Sequence, residues 1–298
     1  MLYDIRLHIS YDYDHDADAS RHVVRLLPAD LPGQQRLVAG SLDVKPRPSE
    51  WTNRRDFFGN ACAELVFVDA HREIGLAMQA RVERLETIWP LDLSPRLTDL
   101  RDEVSAYVGV DANSPHHFVG VSPRIPLDEA TTTYARSAVN GDMSILAAVQ
   151  AIGAALHRDM QYEPGTTTVD TLLLEAFHAR RGVCQDYAQI MIACLRGIGI
   201  PAGYVSGFLR TIPPPGQPRL EGADAMHAWV RAWCGAELGW MEYDPTNAIA
   251  AGVEHVVVAR GRDYSDIAPI KGVLRTYGEH STTHSVDVVP VEGRDSHS

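Results

Sequence analysis

Residues 181–209 read RGVCQDYAQIMIACLRGIGIPAGYVSGFL. From Gln185 to Arg196 apolar side chains occupy nearly every face: Tyr187, Ala188, Ile190, Met191, Ile192, Ala193 and Leu195. A helix apolar all round has no solvent side, so this one is expected at the centre of a fold. Gly197, Gly199 and Pro201 stop it, and Ala202–Leu209 then reads as a strand. Ala225–Trp233, Trp240–Tyr243 and His255–Ala259 follow as strands, and Ser285–Val291 as a last one. A buried helix followed by successive strands predicts α+β architecture, with the helix packed on an antiparallel sheet.

Moving toward the N-terminus, Thr168–Arg180 reads as a short helix ended by Gly182. Ile145, Leu146, Val149, Ile152 and Leu156 form an apolar helical stripe with Ser144 as its N-cap. Asp128–Val139 is also helical in pattern. Pro90, Pro95, Pro115, Pro123 and Pro126 punctuate a linker that holds a short helix near Asp99–Val108. Before it, Tyr3, Ile5, Leu7, Ile9, Tyr11 and Tyr13 alternate with polar residues, the period of a half-buried strand. Val23–Leu27, Arg36–Val44, Ala63–Val68 and Ile74–Leu85 read as further strands between turn signals. The expected layout is an N-terminal antiparallel β-sandwich over 1–90, a linker and helical segment over 91–140, a core over 141–291 and a polar tail over 292–298. Pro213-Pro214-Pro215-Gly216 reads as a loop between two strands.

The chain has 298 residues, 45% hydrophobic and 22% charged, with a formal net charge of -12. That acidity disfavours phosphate backbones and anionic membrane surfaces as partners. Cys62, Cys184, Cys194 and Cys234 are scattered without close pairs, which argues against a disulfide framework or a structural zinc site. No leader pattern and no run of membrane-spanning length stands out, so a cytoplasmic protein is expected. Oligomeric state is left open.

Cys184 follows Gly182-Val183 and opens the buried helix. Free N–H groups and the positive end of the helix dipole gather there. They favour a thiolate and can hold an oxyanion. Taken alone, a cysteine is as readily a small buried hydrophobe. His227, in Met226-His227-Ala228-Trp229-Val230, shares a strand face with Trp229. Taken alone, a histidine on a strand beside an apolar helix is more often a structural side chain than a base. Asp244, in Asp244-Pro245-Thr246-Asn247, ends the next strand and is also good turn chemistry. Together the three match the logic of a triad: nucleophile, base, and an orienter that fixes the base's tautomer. Gln185 is a candidate oxyanion donor. Asp186 is a site neighbour, or else a first-turn carboxylate favouring the helix dipole. Trp229 either shields His227 or simply packs. Cys184, His227 and Asp244 would make an incomplete metal set without a fourth ligand, so no metal or cofactor is expected. Cys194 lies nearly three turns along the helix, too far to share the site. His116-His117 is an improbable metal pair, and Arg260, Arg262 and Asp263 read as structural ion-pairing residues.

RGVCQDYAQIMIACLRGIGIPAGYVSGFL resembles the nucleophile segment of bacterial transglutaminase-like proteins. AMHAWVRAW (225–233) and GWMEYDPTN (239–247) resemble that family's histidine and aspartate segments, and residues 255–273 its closing segment. The first 90 or so residues resemble the β domain that often precedes this core. The resemblance implies a papain-like α+β fold and Cys184, His227 and Asp244 as the triad. Arg231, Ala248 and Gln189 depart from residues common in the family without removing a catalytic group. The superfamily includes transglutaminases, peptidases, amidases and inactive relatives. The leading expectation is hydrolysis of a peptide, isopeptide or amide bond in a peptide or protein substrate. Transfer to an amine and a non-catalytic scaffold are the alternatives.

Overall fold

The computed structural model describes residues 1–86, 91–211 and 224–291. Pro90, the Pro213–Gly216 stretch and the 292–298 tail lie outside the described residues. The first sheet contains β1 (Leu2–Val24), β2 (Gln35–Lys45), β3 (Glu50–Arg55), β4 (Ala61–Phe67) and β5 (His71–Arg84) in the order β2-β5-β1-β4-β3, all antiparallel. The period-two reading of the N-terminus holds: Tyr3, Ile5, Leu7 and Ile9 are buried. Of the strand expected at Val23–Leu27, only Val23 and Val24 are extended, as the end of β1. The first half of β1 pairs with β5 and its second with β4, with a break in register between Asp12 and Ala17. One strand thus crosses from one layer to the other, as strands do at sandwich corners. The sequence reading passes over β3, because its residues are exposed on both faces and carry no alternation.

Then come α1 (Leu100–Ala106), α2 (Glu129–Ala138), α3 (Ile145–Asp159), β6 (Gln161–Tyr162), α4 (Leu173–Ala179), β7 (Arg181–Gly182) and α5 (Cys184–Gly197). Asp128 and Ser144 cap α2 and α3 by accepting from Ala130 and Ala147 amides. The expected Thr168–Arg180 helix is shorter at its start. There the Thr168 amide donates to the Thr171 hydroxyl at 2.9 Å, so side-chain bonding takes groups a helix would need. It ends at Arg180, which is left-handed with φ 54°, and not at Gly182. Gly182 serves a different purpose: a Cβ there would stand 2.5 Å from the Asp186 carboxylate.

α5 is buried from Asp186 to Arg196, as its all-round apolarity requires. It packs against the second sheet, made of β8 (Ala202–Leu209), β9 (Ala225–Trp233), β10 (Trp240–Asp244), β11 (Ile249–Ala250) and β12 (His255–Gly261). The order is β11-β10-β9-β8-β12, antiparallel. α2, α3 and α4 pack on α5 as well. A Cβ on Gly197 would meet the Thr132 hydroxyl at 2.3 Å, so α2 and α5 touch closely there. Part of the segment read as linker, α2, is therefore a layer of the core.

After α6 (Tyr264–Ile267), the chain returns to the first sheet. β13 (Ile270–Arg275) and β14 (His280–Pro290) both pair with β1, Leu7 opposite Val286 and Arg21 opposite Val273. The last strands complete the N-terminal sheet rather than the core's, because β1 offers them a free edge along both halves. The domain boundary is thus not one cut near residue 90.

The two sheets are joined along β12, the edge strand of the core. The Gln35 side chain accepts from the Val257 amide at 2.9 Å and donates to its carbonyl at 2.8 Å. The Asn60 side chain pairs with Arg260 the same way, 2.8 Å in each direction. Two amide side chains thus satisfy an edge that would otherwise invite another strand. Gln35→Leu would strand the Val257 amide, while the Val257 carbonyl keeps the Ala29 amide at 2.9 Å, and should lower unfolding stability by about 1–3 kcal/mol in urea melts, the cost of one unsatisfied group. An unchanged midpoint would mean that the edge is not held this way.

Candidate active site

α5 begins at Cys184, and its start is braced from both sides. Asp186 accepts from the Val183 amide at 2.8 Å and from the Thr167 hydroxyl at 2.6 Å. Asp186 is thus the first-turn carboxylate, turned back onto the helix start and not into the site. The Asp186 and Tyr187 amides reach the Val183 carbonyl at 2.9 and 3.1 Å. The Cys184 and Gln185 amides precede them, at positions with no intrahelical acceptor. Cys184 is partly exposed, whereas Cys62, Cys194 and Cys234 are buried, and all four are free thiols. Burial pushes the Cys194 thiol up to about 12.

His227 lies on β9 opposite Gly207 of β8, and is 9% exposed. Its Nε2 is 2.8 Å from Asp244 Oδ2. Cys184 is near enough to favour the protonated form of the ring. With Nε2 facing the carboxylate, Nδ1 is the ring nitrogen left for the thiol. Burial alone would lower the His227 pKa. The hydrogen bonds to Asp244 and Cys184, and the charge of both, outweigh it and push the value up to about 10.

Asp244 ends β10 with no solvent exposure. Its Oδ1 accepts from the Thr246 and Asn247 amides at 2.9 and 3.2 Å. Its Oδ2 accepts from Asn247 Nδ2 at 2.7 Å besides His227. The turn and orienter readings of this residue are both true, because the turn amides stabilise the charge that faces His227. Burial raises the Asp244 pKa, and the bonds to His227, His255 and Asn247 outweigh it, holding the carboxyl far below the usual range.

Sequence reasoning missed His255 and Asn247. His255, 1% exposed, brings Nε2 within 3.2 Å of the same Asp244 Oδ2. Its signal was a lone imidazole heading the otherwise apolar run Val256–Ala259. His227, Asp244 and His255 hold donor atoms within 4.8 Å of one another. Both imidazole Nε2 atoms address one carboxylate oxygen at hydrogen-bond distance, whereas metal ligands turn lone pairs toward a common centre.

Trp229 is fully buried and stacks beside His227, ring centroids 6.1 Å apart and planes at 29°. A Cβ on Gly207 would meet the indole at 2.5 Å, so only glycine lets the ring lie there. The indole N–H donates to Glu242 at 2.7 Å, and Glu242 pairs with Arg260 at 2.5 Å. Arg260 in turn donates to Gln34, in the turn before β2, at 2.8 Å. Arg262 pairs with Asp266, and Asp263 caps α6, so the three residues read together as a charged cluster have separate partners. Arg231 stacks over Trp240, 3.9 Å from the ring centroid, and burial lowers its pKa to about 9. Gln189 is buried, while Ala248 adopts φ 54°. His116 and His117 each bond a loop carbonyl, of Tyr107 and Val110 respectively.

Cys184 at the start of α5, His227 on β9 and Asp244 at the end of β10 lie in a stretch similar to the transglutaminase-like superfamily. The model of that superfamily matches residues 132–245, which contain all three residues, and the model of the bacterial transglutaminase-like N-terminal region matches residues 3–83. The chain belongs to this bacterial transglutaminase-like family. "Uncharacterized protein Rv2569c" of Mycobacterium tuberculosis is 34% identical over 277 residues, 89% of this chain and 85% of that protein. A Pseudomonas aeruginosa "Protein-glutamine gamma-glutamyltransferase" is 37% identical over 112 residues, 34% of this chain and 16% of that protein. The fold is similar to that of a crystal structure described as "a Putative Cysteine Protease from Cytophaga hutchinsonii", with a TM-score of 0.75 at 20% identity over 98% of this chain and 91% of that one. No helix among the described residues is long and apolar enough to cross a membrane.

The depressed pKa of Asp244 fixes a pH dependence. A group whose folded value lies below its unfolded one stabilises the fold above the unfolded value, here 3.8, and loses that contribution as pH falls below it. Asp244→Asn should cost about 3 kcal/mol at pH 7, the usual loss when one member of a buried pair is removed. The gap to the wild type should narrow below about pH 4 as the unfolded wild-type carboxyl takes up its proton. A gap that stays constant from pH 7 to pH 3 would show that Asp244 does not carry this charge.

Proposed function

We propose that this protein catalyses thiol-dependent acyl transfer through Cys184, His227 and Asp244, with water as the acceptor. The observation that carries the reading is His227, bonded through Nε2 to buried Asp244 at 2.8 Å and held toward its protonated form by Asp244 and Cys184 together. The Cys184 thiolate attacks the carbonyl carbon of a peptide, isopeptide or side-chain amide and forms a C–S bond. The carbonyl oxygen takes the electron pair and sits against the helix-tip amides of Cys184 and Gln185. When the C–N bond breaks, the His227 imidazolium gives its proton to the departing amine, leaving a thioester. His227 then takes a proton from water, the hydroxide oxygen attacks the thioester carbon, the C–S bond breaks and the acid leaves. The Cys184 thiolate and the His227 imidazolium are restored.

A second reading replaces water with an amine. The likeness of part of the core to the Pseudomonas aeruginosa glutamyltransferase supports it. A mixed peptide library offered with and without a primary amine, and read by mass spectrometry, separates the two. Hydrolysed peptides or amides without amine incorporation support hydrolysis. Amine-tagged products support transfer. In either case Cys184→Ala should lower turnover by at least about a thousandfold, the scale of losing a nucleophile. Cys194→Ala should leave it near the wild-type rate. Equal activity of both variants would contradict the thiol mechanism, and no activity in the wild type would leave the chain as a scaffold.

A further inference from the structure

Asp244 Oδ2 serves two histidines, and only His227 takes part in the proposed chemistry. His255 is fixed from both ring nitrogens. Its Nδ1 faces the Gly252 amide at 3.3 Å and accepts from it, so its proton sits on Nε2, which points at Asp244 Oδ2 at 3.2 Å. The His255 amide donates back to the Gly252 carbonyl at 3.1 Å, closing a small reciprocal loop at the head of β12. Trp229 contacts both imidazoles, stacked beside His227 and edge-on to His255 with centroids 5.2 Å apart. The charged groups around this set are Cys184 on α5, Glu242 behind Trp229 on β10, and Arg84 of β5, which donates to the Gly252 carbonyl at 3.2 Å.

We infer that His255 is a positioning residue: an Nε2–H donor, its tautomer set by the Gly252 amide at Nδ1, that keeps the Asp244 carboxylate ionised and aimed at His227. The inference rests on the acyl-transfer reading of the site. A neutral donor adds no second positive charge to compete with the His227 imidazolium, yet it fills a lone pair of a carboxylate that water cannot reach. Its place on β12 also ties the site to the first sheet. Gln35 and Asn60 hold the outer edge of that same strand.

The wild-type protein gives the first test. Imidazole 15N spectra near neutral pH should show His255 as the Nε2–H tautomer, while His227 is protonated. A His255 that carries its proton on Nδ1, or on both nitrogens, overturns the inference. The second test compares His255→Phe, which keeps a ring without the donor, with His255→Gln, whose amide N–H can occupy the place of Nε2. Iodoacetamide alkylation of Cys184 at pH 6 should slow about tenfold in His255→Phe, the value of one hydrogen bond to a charged group, and stay within about twofold of wild type in His255→Gln. Folded His255→Phe reacting at the wild-type rate, or both variants slowing equally, contradicts a positioning role. A wild type whose Cys184 is itself slow at pH 6 would instead contradict the acyl-transfer reading.

Discussion

A carboxylate without solvent exposure stays ionised only if the protein replaces every hydrogen bond that water would give it. Asp244 meets that condition with two turn amides, the Asn247 side chain and two histidines. The demand shapes the surroundings. β10 must end at Asp244 so that the next residues turn back onto it, and β9 must run alongside so that His227 faces Oδ2. β12 must bring His255 to the same oxygen across the sheet. With the carboxylate fixed, His227 has one nitrogen committed and one free, and in the proposed mechanism the free one serves Cys184 of α5.

The β domain acts on this arrangement from behind. It grips β12 through Gln35 and Asn60, and Gln34 continues through Arg260 and Glu242 to the indole that stacks beside His227. Glu242 remains charged there although burial opposes it, because Arg260, the Trp229 N–H, Arg84 and Arg231 outweigh that cost. Side chains of the β domain therefore reach, through at most three residues, the ring that abuts the histidine. The return of β13 and β14 to β1 encloses the core segment between two parts of one sheet, so the two halves are built from interleaved stretches of chain.

Much of this was legible in the sequence where a local pattern has a single physical solution. The all-round apolar 185–196 helix could only be central, and the alternation from Tyr3 to Ile9 could only be a half-buried strand. Ser144 as a cap follows from chemistry within one turn. Long-range choices were not legible. Nothing in Ser285–Val291 distinguishes pairing with β1 from pairing with the core, since an alternating strand fits either edge. β3 was silent because it buries neither face. Within the site, order and context singled out Cys184, His227 and Asp244, and the structure pairs the last two. Gln185 and Asp186 shared the same helix tip, yet the carboxylate turned inward to brace Val183. His255 stayed hidden because its partner lies on a strand that is not its neighbour in the sheet.

The central claim is that His227, fixed by Asp244, activates Cys184. The pH dependence of Cys184 alkylation by iodoacetamide, in wild type and in His227→Ala, tests it most directly. The account predicts rapid alkylation of the wild type at pH 6 that disappears with His227. A wild-type profile that rises only near pH 8.5, as for an ordinary thiol, and that His227→Ala leaves unchanged, would contradict it.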